Sequence, residues 1–202
     1  MIGELARIDD LDKYVQLRER LLADGAEAAL DVAFQRLYRS YWRMNVARLG
    51  DSFFSKYFTL LAECWRAGHA GISEIVRALA NADDSDKHSL QFSFATKLAH
   101  MVDPRIPVYD SFVAAFYFYN PPPSNRPFEE RLAALLTFHV FLQAEYARVI
   151  DKGLLGEALR GFRAHFQIGN AICDERLIDW LLWGWVSLLR GEAQRRGEAL
   201  YA

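Results

Sequence analysis

Large apolar side chains spaced three and four residues apart constrain this chain more than any other feature. Phe53, Phe54, Tyr57, Phe58, Leu61 and Trp65 fall on one stripe of a helix. Similar spacing recurs along the chain, and the two-residue alternation of a strand is nearly absent. The pattern predicts an all-α fold, a single orthogonal multi-helix domain of eight or nine helices over residues 1–202. Hydrophobic residues are 52% of the 202, enough for the dry core of one such domain.

Punctuation sets the expected boundaries. Asp9 or Asp10 caps a first helix to about Ala23, with Gly25 as its stop. A long second helix is expected from Ala26 to Leu49, ended by Gly50. Asp51 or Ser52 caps a third, Gly68 and Gly71 bracket a turn, and a short helix runs from Ile72 to Ala80. A polar loop covers 81–88. Two helices then meet near Pro104 to Pro107, the first running from Ser89 to Val102. Asn120 to Pro127 contains three consecutive prolines, which exclude helix and mark a possible subdomain boundary. Helices follow at Phe128 to Ile150, Leu154 to Phe166 and Glu175 to Arg190, with a polar, fraying tail from Gly191 to Ala202.

Composition excludes several classes. Lys plus Arg number 24 against 26 Asp plus Glu, so no global basic field draws the chain to nucleic acid, and any such binding needs a local patch. The N-terminus lacks the basic and apolar regions of a signal peptide. The most apolar run, Leu177 to Leu189, is broken by Asp179 and Gly184 and is too short to span about 30 Å of hydrocarbon. The expectation is a cytoplasmic protein with no membrane partner, and with Cys64 and Cys173 reduced. His69, His88, His139 and His165 have no metal-ligand spacing, and His139 reads as a packed core histidine. No glycine-rich phosphate loop is present. No metal and no cofactor are expected.

Chemistry gathers in Phe92 to Val113. Leu90, Phe94, Leu98 and Met101 share the core face of a helix. Ser93, Lys97 and His100 share another face, pointing out of the core or into a cleft. The residue before Pro104 avoids the α region and stops the helix. Asp110 opens the next helix, where a carboxylate accepts backbone N–H bonds and faces the positive end of the dipole. One reading makes Asp110 an N-cap and Lys97 a solvated or ion-paired side chain. The other makes the bend a cleft with Asp110, Lys97 and His100 as its catalytic residues.

The run Thr96-Lys97-Leu98, a short loop, then Pro107-Val108-Tyr109-Asp110 and Val113 resembles uncharacterised bacterial proteins with a T-x-K-L-L … P-[IV]-Y-D-x-x-V signature. It also resembles, more distantly, the helix-hairpin-helix base-excision DNA glycosylases. There the matching residues are Ala95 in the first helix, Val108, Asp110 and Val113. The resemblance covers about 25 residues. It implies two helical halves, duplex DNA as partner, and a catalytic role for Asp110. The stretch from Ser89 to Phe94 carries none of the family's hairpin glycines, and Lys97 is not at the place of its Schiff-base lysine.

Arg36, Arg39, Arg43 and Arg48 recur along the long second helix with Tyr38, Tyr41 and Trp42 between them. They form either a solvated face or a DNA-binding face, which Arg160, Arg163 and Arg176 would extend. Trp180, Trp183 and Trp185 mark core packing or a homodimer interface. Three functional expectations follow: a DNA-binding protein related to the glycosylases, active or degenerate; a non-catalytic helical interaction module; and a small-molecule enzyme using Asp110.

Overall fold

The computed structural model describes residues 8–47, 49–82, 90–169 and 172–196. Arg48, His88, Ser89, the first seven residues and the tail beyond Arg196 lie outside them. Among the described residues ten α-helices occur in the order α1 (Ile8–Asp24), α2 (Ala26–Leu30), α3 (Val32–Tyr41), α4 (Asp51–Ala67), α5 (Ile72–Ala80), α6 (Phe92–Val102), α7 (Ser111–Phe116), α8 (Phe128–Asp151), α9 (Gly156–Phe166) and α10 (Asp174–Arg196). A 3-10 turn, Met44–Ala47, follows α3. The described residues contain no strand. None of their helices is long and apolar enough to cross a membrane.

The expected long second helix is broken in two. Asp31 leaves helical geometry, at φ −76° and ψ 132°, and its side chain accepts from the Phe34 N–H at 2.8 Å. Asp31 thus caps α3 instead of continuing α2, because a short carboxylate competes for nearby backbone donors. Arg20 pairs with the same oxygen at 3.0 Å. The chain leaves α3 at Trp42, and Arg43 takes φ 53°. Other differences from the expected bounds are smaller. α1 starts at Ile8, which puts Asp9 and Asp10 in its first turn. α7 stops at Phe116 and is followed by Phe118 at φ 52°. α10 runs on to Arg196, past the expected start of the polar tail at Gly191.

α6 is the central helix. Phe92, Phe94, Ala95, Thr96, Leu98, Ala99, His100 and Met101 are all buried, so helix neighbours cover nearly its whole circumference. α5 and α4 pack on it, α2 packs on α4, and α1 packs on α3. α7, α8 and α9 pack against α10. Buried side chains before and after Asn120 to Pro127 belong to one continuous core, so this proline-rich connection joins α7 to α8 without dividing the core. Tyrosine hydroxyls inside the core are paired with one another and with backbone. The Tyr38 and Tyr57 hydroxyls share a hydrogen bond of 2.8 Å, and Tyr57 donates to the Phe94 carbonyl at 3.1 Å. Removing a side chain such as Phe58 from water contributes about 1.5–3 kcal/mol.

Candidate functional site

Residues 106–110 have no regular secondary structure, yet side chains from three helices pin their backbone. Both histidines here act through their rings. The Ile106 carbonyl can only accept, so His100 carries its proton on Nδ1 and donates there at 2.8 Å. Its Nε2 then accepts from the Tyr14 hydroxyl at 2.9 Å. From α8, His139 donates from Nε2 to the Pro107 carbonyl at 2.9 Å. The Tyr109 N–H donates to Thr96 Oγ1 at 3.1 Å, and the Val108 N–H donates to Asp179 Oδ2 at 3.4 Å. Together these bonds aim Asp110.

Asp110 combines the two readings of its role. Its Oδ1 accepts from the Phe112 and Val113 N–H groups at 2.8 and 2.9 Å, which caps α7. Among the described residues no hydrogen bond occupies Oδ2, and the residue lines a cavity of about 130 Å³. Asp10 and Leu11 of α1, the turn Tyr41 to Arg43, Lys97 of α6, Val108, Val113 of α7 and a face of α10 complete the lining. The cavity therefore lies where the helices that surround α6 meet the α7–α10 packing.

Lys97 reaches this cavity with no hydrogen bond and no ion pair within 4.0 Å among the described residues; its amine lies 5.5 Å from the Phe94 ring centre and 5.9 Å from that of Trp42. Burial pulls its pKa down to about 8, against the attraction of Asp110, and the Arg176 charge adds to the fall. An amine at that value exchanges its proton near neutral pH. His100 is different. It is fully buried, both ring nitrogens are engaged, and burial holds its pKa down at about 3. It does not line the cavity and serves to position the bend.

The floor comes from α10. Arg176 is buried among four rings, 4.7 Å from Trp42, 4.8 Å from Trp180, 5.4 Å from Tyr14 and 5.6 Å from Tyr41. It donates to the Tyr41 hydroxyl and, at 3.3 Å, to Asp179 Oδ2. Tyr146 donates to Asp179 Oδ1 at 2.7 Å. Burial raises the Asp179 pKa to about 7 in spite of these favourable partners. The indole N–H of Trp42 is buried and has no hydrogen bond among the described residues. A buried donor left without a partner is a place where a ligand acceptor gains.

Of the described arginines expected on a DNA-binding face, Arg43 and the buried Arg176 line the cavity. Arg36 is exposed, and Arg39 sits 3.8 Å over Phe54 and donates to Asn45. Arg160 and Arg163 line a separate groove with Cys173, and Arg163 is bound to Asp174 at 2.5 Å. Asp179, Trp42 and Trp183 were not among the expected site residues. The signal for Asp179 was present: a carboxylate in an apolar run, three residues after Arg176 and four before Trp183, places all three on one helix face. No group of three His, Cys, Asp or Glu side chains suited to a metal occurs among the described residues.

No protein-family model matches the chain. No curated protein and no solved structure matches it either.

Proposed function

We propose that this chain is a nucleic-acid-binding protein whose cavity holds one base turned out of a DNA strand. The observation that carries this reading is the shared cavity of Asp110 and Lys97, one with an unbonded carboxylate oxygen and the other with an unpartnered amine, beside Trp42 and Trp183. A cavity of about 150 Å³ holds a benzene ring, so 130 Å³ suits one planar ring. Proteins that extrude a base read it by stacking on aromatic side chains and by hydrogen bonds to its edge. The Trp42 N–H, Lys97 and Asp110 supply those bonds. The resemblance of Val108, Asp110 and Val113 to the helix-hairpin-helix glycosylases supports the same reading and makes Asp110 the group to stabilise positive charge on the sugar.

The test is binding at low salt to duplexes with and without one mismatched base, since phosphate contacts are strongest there and a mismatched base costs least to extrude. Asp110→Asn keeps the cap and removes the charge. The reading expects mismatched duplex to bind more tightly than matched, and expects Asp110→Asn to lose that preference. Absence of binding at low salt would remove it.

A second reading is a small-molecule enzyme in which Asp110 and Lys97 transfer protons, supported by the lysine pKa near 8. It predicts ring-compound binding with indifference to DNA. Trp185, 49% exposed on α10, supports a homodimer that is compatible with either reading and is tested by sedimentation.

A further inference from the structure

Arg43 stands where a chain ordinarily places glycine. It follows the end of α3, where its N–H bonds the Ser40 carbonyl at 3.2 Å, and it takes φ 53°. A residue with a β-carbon is strained in this left-handed region, and glycine is not. The strain puts the Arg43 guanidinium 5.0 Å from the ring centre of Trp183, at the edge of the cavity. Trp183 packs in turn on Phe112, with ring centres 5.2 Å apart and a tilt of 31°, and Arg190 lies 4.4 Å over Phe112. The result is a ladder of cation, ring, ring and cation. Neither arginine has an ion-pair partner among the described residues.

Of the three described cations that line the cavity, Arg176 is buried and bonded to Tyr41 and Asp179, Lys97 is half-buried, and Arg43 alone is exposed. A guanidinium stacked on an indole uses its face and keeps its N–H edge free for a bidentate acceptor. We propose that Arg43 is the phosphate contact of this cavity, held by Trp183 so that it grips the phosphate of the nucleotide whose ring enters. The inference rests on the base-holding reading above and adds the ligand class: a nucleoside phosphate, either free or within a strand.

Tryptophan fluorescence, titrated with a nucleoside, its 5′- and 3′-monophosphates and a mismatched duplex, tests it. Wild type is expected to bind one monophosphate about tenfold more tightly than the nucleoside, the scale of one charge-assisted bidentate contact. Arg43→Gly is expected to bind nucleoside and monophosphate equally and to melt at the same or a higher temperature, because the backbone strain is relieved. Arg160→Gln, which removes an arginine of the separate groove, is expected to keep the preference.

A phosphate preference retained in Arg43→Gly, or lost equally in Arg160→Gln, overturns the proposal and leaves the base-holding reading standing. A lower melting temperature for Arg43→Gly also overturns it, since Arg43 would then serve the fold. If wild type prefers the monophosphate but ignores the duplex, the phosphate contact stands and the extruded-base reading fails. If wild type binds none of these probes, both fail.

Discussion

His100 and Ile106 are joined across the bend by a 2.8 Å hydrogen bond from the imidazole Nδ1 to the carbonyl oxygen. The bond fixes the tautomer of a fully buried histidine and one end of the segment that carries Asp110. With His139, Asp179 and Thr96 holding the next three residues, four consecutive residues of irregular backbone are bonded to helix side chains. This pinning gives a cap residue a defined place in the cavity wall.

Thr96→Val tests that pinning. The substitution keeps the shape and leaves the buried Tyr109 N–H without an acceptor, a loss of about 1–3 kcal/mol. Chemical unfolding should show the loss, and ligand affinity should fall with it. Thr137→Val, at an exposed site on α8 where the hydroxyl only returns to its own helix, should change neither.

The buried charge of Lys97 costs the fold stability. Its folded pKa, about 8, lies below the ordinary lysine value, so the charged amine is penalised in the native state. The penalty is fully present below pH 8 and disappears as pH rises toward 10.5. Lys97→Met should therefore be more stable than wild type at pH 7, by about 1–3 kcal/mol, while losing ligand binding. Urea unfolding at pH 7 and pH 10 should show the advantage shrinking at the higher pH.

Asp179 has the opposite sign. Its folded pKa, about 7, lies above the ordinary carboxylate value of 3.8, so the native state holds a proton that the unfolded chain has released. Asp179 stability is fully present at low pH and is lost as pH rises from about 4 to 7. Relative to wild type, Asp179→Asn should gain stability over that range by about 1.4 kcal/mol per pH unit, on top of a constant loss from the unpaired Arg176. His100 pulls the other way: its neutral form is buried, so wild-type stability falls as pH drops from 6.5 toward 3. The difference between variant and wild type, measured by unfolding from pH 4 to 7, isolates the Asp179 slope.

Asp31→Ala tests the break between α2 and α3. Loss of the cap and of the Arg20 pair should cost about 0.5–2 kcal/mol in thermal unfolding.

Asp31 also shows what the sequence conveyed and what it hid. The helical period and the glycine stops carry the all-α fold, since a local pattern suffices to bury a stripe. The split at Asp31 was hidden because one capping aspartate looks the same as a solvated one inside a helix. At the bend, Asp110 was legible as a cap from its place after Pro107. That it also lines a cavity depends on α10, about 70 residues away, and no local pattern conveys that contact. His100 and Lys97 share a face of α6 at helical spacing. Their environments diverge because Tyr14 and the Ile106 carbonyl occupy the histidine, whereas among the described residues the lysine meets only the rings of Phe94 and Trp42, with no hydrogen bond or ion pair.

The central claim is that one planar ring occupies the cavity. Val113 lines it, and Val113→Phe fills it without altering any surface charge. The most direct measurement is the ratio of affinities for mismatched and matched duplex at low salt, in wild type and in folded Val113→Phe. The account predicts a ratio of about ten or more in wild type and near one in the variant, with binding to matched duplex unchanged. A ratio near one in wild type, or a ratio that survives filling the cavity, would contradict it.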